Sequence, residues 1–252
     1  MTAGRSEVVW AQVAAHAAAR GARASVADVC AVAAGVIQLG GAWVAAARNG
    51  EPGFVIFVTD PVCERLSELQ LTLGQGPCHD VLASASPVLA GDLGDAESSR
   101  RWPAFTPEAL GQGAGAMFAF PLVVGAIRAG VMALYRGSAG PLTRGQLGDL
   151  LILADAATLL LLDAVDGHPA AAGGYGDDGW QDGQPPDLAL HRAVIDQATG
   201  MLTEQLGVPV AEAFARLRAY AYSAGRRLAD VASDIVARRL RLDPDSDPDV
   251  VP

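Results

Sequence analysis

The sequence predicts an α/β (α+β) protein in two folded parts: a mixed domain with a central sheet over residues 1–166, and a small three-helix unit over residues 187–242. Two observations lead there. Four apolar runs of strand length, Ala42 to Ala46, Gly53 to Thr59, Gly115 to Leu122 and Ile127 to Tyr135, are bracketed by alanine- and leucine-rich segments with helical periodicity. Behind them, three short apolar stripes with three- and four-residue spacing are separated by glycine and proline.

The first 166 residues are enough to bury a core of their own. An alanine-rich helix covers Glu7 to Arg20. Ser25 then caps a second helix through Val29, Val32, Val36 and Ile37. The four strands follow, and only a few residues around Gly125 separate the last two, so a hairpin is the economical reading. A final helix begins near Thr143 and carries leucines and alanines to Val165. Residues 167–186 are rich in Gly, Asp and Pro and read as a flexible tether, with Tyr175 and Trp180 as side chains that can dock it. Residues 243–252, DPDSDPDVVP, read as a disordered acidic tail.

In the second part, Pro185 and Pro186 precede Asp187, which suits an N-cap, and Leu190, Val194, Ala198, Met201 and Gln205 recur on one helical face. Gly207 and Pro209 end that helix. Ala213, Phe214, Leu217 and Ala221 mark the second, which stops at Gly225, and Leu228, Val231, Ala232, Ile235 and Val236 mark the third. This stretch holds eight arginines against six acids, about +2, while the remainder of a chain with net charge −10 carries about −12. The basic character is local.

The run Arg192, Val194, Ile195, Gln197, Ala198, Gly200, Met201, Leu202, then Glu212, Ala213, Phe214, Leu217, Arg218, then Arg226, Leu228, Asp230, Val231, Ala232 closely resembles the ANTAR domain, a small helical RNA-binding module of bacterial transcription antiterminators. The resemblance covers nearly all of residues 187–242. It implies binding to tandem stem-loop RNA, with Arg192 and Arg218 as backbone or loop contacts, Arg226 and Arg227 as supporting charge, and Gln197 at a base edge. Thr199 stands between Ala198 and Gly200, where the family often has lysine, and takes that position's contact. Arginine suits this task because its planar, permanent charge pairs with phosphate and stacks on unpaired bases. Arginines at helix ends also complement the helix dipole, and Arg238, Arg239 and Arg241 fit that role equally well. Ala198, Gly200, Ala213, Phe214 and Leu217 read as packing residues.

The order of elements in the first part, with Leu73-Gly74-Gln75-Gly76-Pro77-Cys78-His79-Asp80, then Pro87-Val88, Asp92-Leu93, Trp102-Pro103 and Phe120-Pro121-Leu122, resembles a GAF domain of the kind that precedes ANTAR modules in actinobacterial regulators. That resemblance implies a central antiparallel sheet, helices on one or both sides, and a small-molecule pocket under the segment between the middle strands. Its ligand-binding candidates are Asp92 as a hydrogen-bond acceptor, Trp102 and Phe105 as an aromatic lid, and His79. The alternative is that Trp102 and Phe105 plug the core and Asp92 caps its own loop. No cofactor is assigned.

Catalysis is not expected. Three cysteines without close pairing and four scattered histidines do not outline a metal site. Some GAF-fold proteins reduce free methionine sulfoxide through cysteine, which makes Cys78 the one candidate nucleophile, but unpaired cysteine is more often a small buried hydrophobe. Nucleotide loops, serine triads, paired carboxylates and receiver patterns are not evident. All 18 basic residues are arginine. The first residues do not read as a secretion signal, and Asp149 and Asp155 interrupt the leucine run from Leu147 to Leu162, so a cytoplasmic, non-membrane protein is expected. Leu150, Leu153, Leu159 and Leu160 exceed what one face of a lone helix needs, which suggests a homodimer. A DNA-binding regulator, a cysteine-dependent reductase and a protein-interaction module are the rival readings.

Overall fold

The computed structural model describes residues 3–38, 40–48, 51–166 and 187–242. They form two compact units, an N-terminal one built on a sheet and a C-terminal one of three helices. The expected tether and tail lie outside the described residues.

The N-terminal unit runs α1 (Ala3–Ala19), α2 (Val26–Ile37), β1 (Gly40–Arg48), β2 (Glu51–Val58), α3 (Pro61–Leu73), α4 (Pro77–Ser84), β3 (Val88–Ala90), α5 (Ala96–Arg101), α6 (Phe105–Gly111), β4 (Ala116–Val124), β5 (Ile127–Arg136) and α7 (Arg144–Asp166). Its five strands form one antiparallel sheet in the order β2-β1-β5-β4-β3. The hairpin expected around Gly125 is present: Gly125 and Ala126 alone separate β4 from β5, and Gly125 takes a φ of 58° that glycine adopts without strain. This hairpin supplies the centre and an inner neighbour of the sheet.

Successive strand side chains point to opposite faces, and here both faces are buried. On one side Ala42, Val44, Phe118, Phe120, Leu122, Met132 and Leu134 join α1, α2 and α7 in the main apolar cluster. On the other side a row crosses all five strands: Val58 pairs with Trp43, Trp43 with Ala133, Ala133 with Ala119, and Ala119 with Val88. Every member of that row is buried, with Trp43 between Val58 and Ala133, and α4 packs on β2, β3, β4 and β5. Two successive alanines, Ala133 and Ala119, leave room for the indole within a close-packed layer.

The apolar helix α7 is long and apolar enough to cross a membrane by length and composition. In this fold it is a core helix, with Leu150, Leu153, Ala154, Ala156, Ala157 and Leu161 in the apolar cluster and Asp149 paired with Arg5 at 2.6 Å. Leu150 and Leu153 are therefore not available as a dimer face, a correction to the expectation, whereas Leu151 and Leu159 are exposed.

Residues 60–111 carry motifs but no clear periodic element in the sequence, yet α3, α4, β3, α5 and α6 lie there. Helices of six to eight residues complete too few turns to print an apolar period, and β3 has three residues. Their boundaries come from local chemistry, as with Pro77 at the first turn of α4 and the Asp95 side chain accepting the Ser98 N–H at the start of α5.

The junction of α1 and α2 is held by one buried carboxylate. Asp28 accepts from Ser25 N at 2.9 Å, Ser25 Oγ at 2.8 Å and Arg20 Nη2 at 2.7 Å, and His16 Nδ1 lies 3.2 Å away. Burial works to raise its pKa, but the hydrogen bonds from Arg20, Ser25 and His16 outweigh it and hold the carboxyl at about 2. A lowered pKa in the folded state adds stability that is present above the unfolded value of 3.8 and lost as the pH falls through about 2. Asp28→Asn is expected to cost about 2–4 kcal/mol near neutral pH and to flatten the acid limb of the stability curve. Urea unfolding followed by tryptophan fluorescence at a series of pH values checks both effects.

Candidate functional site

In the N-terminal unit, the motif from Leu73 to Asp80 is a clasp for the segment that follows. Gly76 has a φ of 130°, and a Cβ there would meet the Gln70 side chain at 2.6 Å, so glycine is required both by conformation and by space. Gln70 is buried. Its Oε1 accepts the Cys78 N–H at 2.8 Å and its Nε2 donates to Cys78 Sγ at 3.2 Å. Gln75 Oε1 accepts from the backbone of Ala104 at 3.0 Å and Phe105 at 3.3 Å. Asp80 Oδ2 accepts from Trp102 Nε1 at 3.1 Å and from Arg101 Nε at 2.5 Å, while the Arg101 guanidinium lies 5.0 Å over the Trp102 ring.

The four residues expected to bind a ligand do not converge among the described residues. Trp102 and Phe105 are 2% and 0% exposed and meet edge to face at 6.5 Å, so they are core plugs and not a lid. Asp92 is exposed, its Oδ1 accepts the Gly94 N–H at 2.8 Å and its carbonyl accepts from Ser98 Oγ at 3.0 Å, so it caps its own loop. His79 Nε2 sits 2.9 Å from the Gln70 carbonyl. A shallow hollow beside β3 and α5 is lined by Leu89, Gly91, Asp95, Ser98, Arg101 and Trp102, and of the four it includes Trp102 alone.

The cysteine chemistry also resolves. Cys30, Cys63 and Cys78 are all buried. Burial pushes the Cys78 thiol up to about 12 against a partial offset from the Gln70 hydrogen bond, and burial followed by the nearby Asp60 carboxylate pushes Cys63 up as well. A thiol held neutral and enclosed is a poor nucleophile.

The C-terminal unit comprises α8 (Asp187–Leu206), α9 (Val210–Ser223) and α10 (Leu228–Val236), packed on one another around Ala198, Leu202, Ala213, Leu217, Ala221, Leu228, Val231, Ala232 and Ile235. These are largely the stripes read from the sequence. On α8, Thr199 departs from expectation: it is 5% exposed and its hydroxyl donates to the Ile195 carbonyl at 2.7 Å, so burial removes it from the contact set. Gly200 departs in the opposite sense. Expected as a packing residue, it is exposed, and a Cβ there would have nothing within 4 Å. Mid-helix glycine costs about 1 kcal/mol relative to alanine, and no contact within the described residues accounts for it. Ala193, Gln197, Gly200 and Glu204 together make an exposed stripe along α8. Arg192 is on the same helix, its side chain outside the described set.

On α9, the Arg218 guanidinium stands 5.6 Å over the Phe214 ring, and Arg216 pairs with Glu212 at 2.7 Å one turn back. Tyr222 is 57% exposed. Arg227 precedes α10 as its N-cap residue and is exposed. Arg226 is gathered with Arg239 on one carboxylate: Asp234 accepts from Arg226 Nη2 at 2.6 Å and from Arg239 Nε at 2.8 Å. Asp234 is held below the usual carboxylate range by Arg226 first and Arg239 second. Spacing in the sequence gives no sign of this cluster, because Arg226 and Arg239 meet only through the fold of α10.

A sheet-centred unit joined in one chain to a compact three-helix module with arginines on its surface defines a two-domain protein whose smaller module is all-helical. That smaller module is an ANTAR domain, since residues 189–236 match that family. A comparison with curated proteins finds no match. Solved structures similar to the chain include the GAF domain of an Acinetobacter phosphoenolpyruvate-protein phosphotransferase, at 12% identity and a TM-score of 0.46, covering 66% of this chain and 96% of that one. Another is the GAF domain of cyanobacteriochrome TePixJ, at 12% identity and a TM-score of 0.35, covering 56% and 88%.

Trp102→Ala is expected to destabilise the N-terminal unit by about 3–5 kcal/mol, the cost of emptying a core aromatic site. A lid residue would leave the urea midpoint unchanged.

Proposed function

We propose that this chain is a sensor-regulator in which the ANTAR domain binds RNA stem-loops and controls transcription termination, with input from a GAF-like N-terminal unit. The observation that carries this reading is the family match across α8 to α10. The surface of the module supports it: Gln197 and Gly200 lie on an exposed stripe of α8, where a bare backbone admits close approach by a phosphate or base, and the Arg218 guanidinium stands part-exposed over the Phe214 ring on α9. Arg192 and Arg218 are the backbone or loop contacts, Gln197 the base-edge contact, and Arg226 and Arg227 supporting charge.

Both faces of the sheet are filled by the protein's own side chains, so the input is a partner or a ligand bound outside the sheet core. A cytoplasmic homodimer fits the task, because tandem loops offer two equivalent sites and Leu151 and Leu159 are the exposed leucines of α7. RNA held as paired stem-loops cannot form a competing terminator hairpin, which is how binding permits read-through.

The test is retention of a labelled tandem stem-loop RNA, against a loop-scrambled RNA and duplex DNA. Arg192→Glu with Arg218→Glu is expected to abolish loop-dependent retention while the helical circular dichroism is unchanged, and retention at the wild-type level would refute the assignment. Preference for the DNA duplex would favour a DNA-binding regulator. Gly200→Ala is expected to raise helix stability by about 0.5–1 kcal/mol yet weaken RNA retention, because the added methyl stands where RNA approaches.

A further inference from the structure

We propose that the end of α10 is a second phosphate-binding surface, formed by Arg226, Arg238 and Arg239 and positioned by Asp234. The inference rests on the reading of the module as RNA-binding, and it adds residues beyond the family match, which stops at residue 236.

Two helix ends in this module are built alike. After α9, Gly225 takes a φ of 59°, its N–H bonds to the Tyr222 carbonyl, and the N–H of Arg226 bonds to the Ala221 carbonyl. After α10, Arg238 takes a φ of 57°, its N–H bonds to the Ile235 carbonyl, and the N–H of Arg239 bonds to the Asp234 carbonyl. Both are Schellman endings, in which the left-handed position favours glycine. Glycine fills it after α9, and Gly207 likewise follows α8 with a φ of 65°, whereas α10 alone puts an arginine there. The strained choice is unnecessary for ending a helix, and backbone strain of this kind concentrates at functional positions.

The residue after the left-handed position is an arginine in both endings, and both arginines reach the same carboxylate. Asp234 Oδ2 takes Arg226 Nη2 at 2.6 Å, and Oδ1 takes Arg239 Nε at 2.8 Å and Nη2 at 2.7 Å. Asp230 also acts on Arg226, so two negative charges face these two positive ones and Arg238 makes the cluster net cationic. Their side chains are 39% and 65% exposed, which leaves the remaining N–H edges of both forks toward solvent. Exposed ion pairs add little to stability, so the second arginine is not explained by the fold. Fixed guanidinium forks beside a third, exposed arginine suit the bidentate geometry of phosphodiester oxygens.

The experiment uses the full chain, with Arg238→Gly and Arg239→Gln as variants. Retention of the tandem stem-loop RNA and of its loop-scrambled counterpart is measured across a salt series, alongside the melting temperature. Arg238→Gly is expected to raise the melting temperature, because glycine accepts the left-handed backbone, while weakening both RNAs by a similar factor and lowering the slope of log affinity against log salt by about 1. Arg239→Gln is expected to lower the slope by the same amount. If the wild type prefers intact loops and both variants keep its slope, the second surface is overturned and the RNA reading stands. If the wild type shows no preference for intact loops, the RNA reading fails and this inference with it. Variants that keep their RNA slope but lose retention on immobilised polyglutamate assign the surface to an acidic protein and overturn the phosphate assignment.

Discussion

Burial of the sheet on both faces is the constraint on which the N-terminal unit depends. Once α1, α2 and α7 occupy one face, the row from Val58 through Trp43, Ala133 and Ala119 to Val88 leaves an apolar second face that needs its own cover. Helix α4 supplies it, packing on β2, β3, β4 and β5, and the motif residues hold the segment around it together. Gly76 admits the Gln70 side chain, Gln75 holds the Ala104–Phe105 turn, and Asp80 holds Trp102. Groups that looked like ligand contacts are therefore committed to satisfying backbone and indole donors, which buried polar groups must do.

Two aspartates show how position decides the meaning of a carboxylate. Asp28 is fully buried, gathers hydrogen bonds from Arg20 and Ser25, and fixes one helix against the next. Asp234 is part-exposed and gathers Arg226 and Arg239, so its electrostatic contribution to stability is screened by water and its main effect is to orient two cations. The same ion-pair chemistry thus serves the fold in one unit and the surface in the other.

In the C-terminal unit the core is small and built of alanine, leucine, valine and isoleucine, with Thr199 the one buried polar residue among those described, its hydroxyl spent on the Ile195 carbonyl. Helix ends then become the variable positions. Glycine after α8 and α9 and arginine after α10 meet the same backbone requirement at different conformational cost, and the costly one places charge at the surface.

Much was legible in the sequence because it is local. The strands of the β4–β5 hairpin, the Ser25 helix start, and the three C-terminal helices with glycine stops after the first two follow from periodicity and punctuation within a dozen residues. The helices α4, α5 and α6 were not legible, since six to eight residues give only about two turns, too few to repeat an apolar period. Side-chain facing was the other blind spot. Thr199 and Gly200 are adjacent on one helix, yet the polar residue is buried and the glycine exposed, which depends on how α9 and α10 pack against α8. Trp102 and Phe105 could be lid or plug until both were seen to be buried against each other. The sequence by itself determined the element types, the two-part organisation and the basic character of the helical module, because propensity, turn chemistry and charge act over short distances. Only the tertiary structure decided which side chains are spent on the core and which arginines share a carboxylate, because burial and pairing join residues that the chain holds far apart.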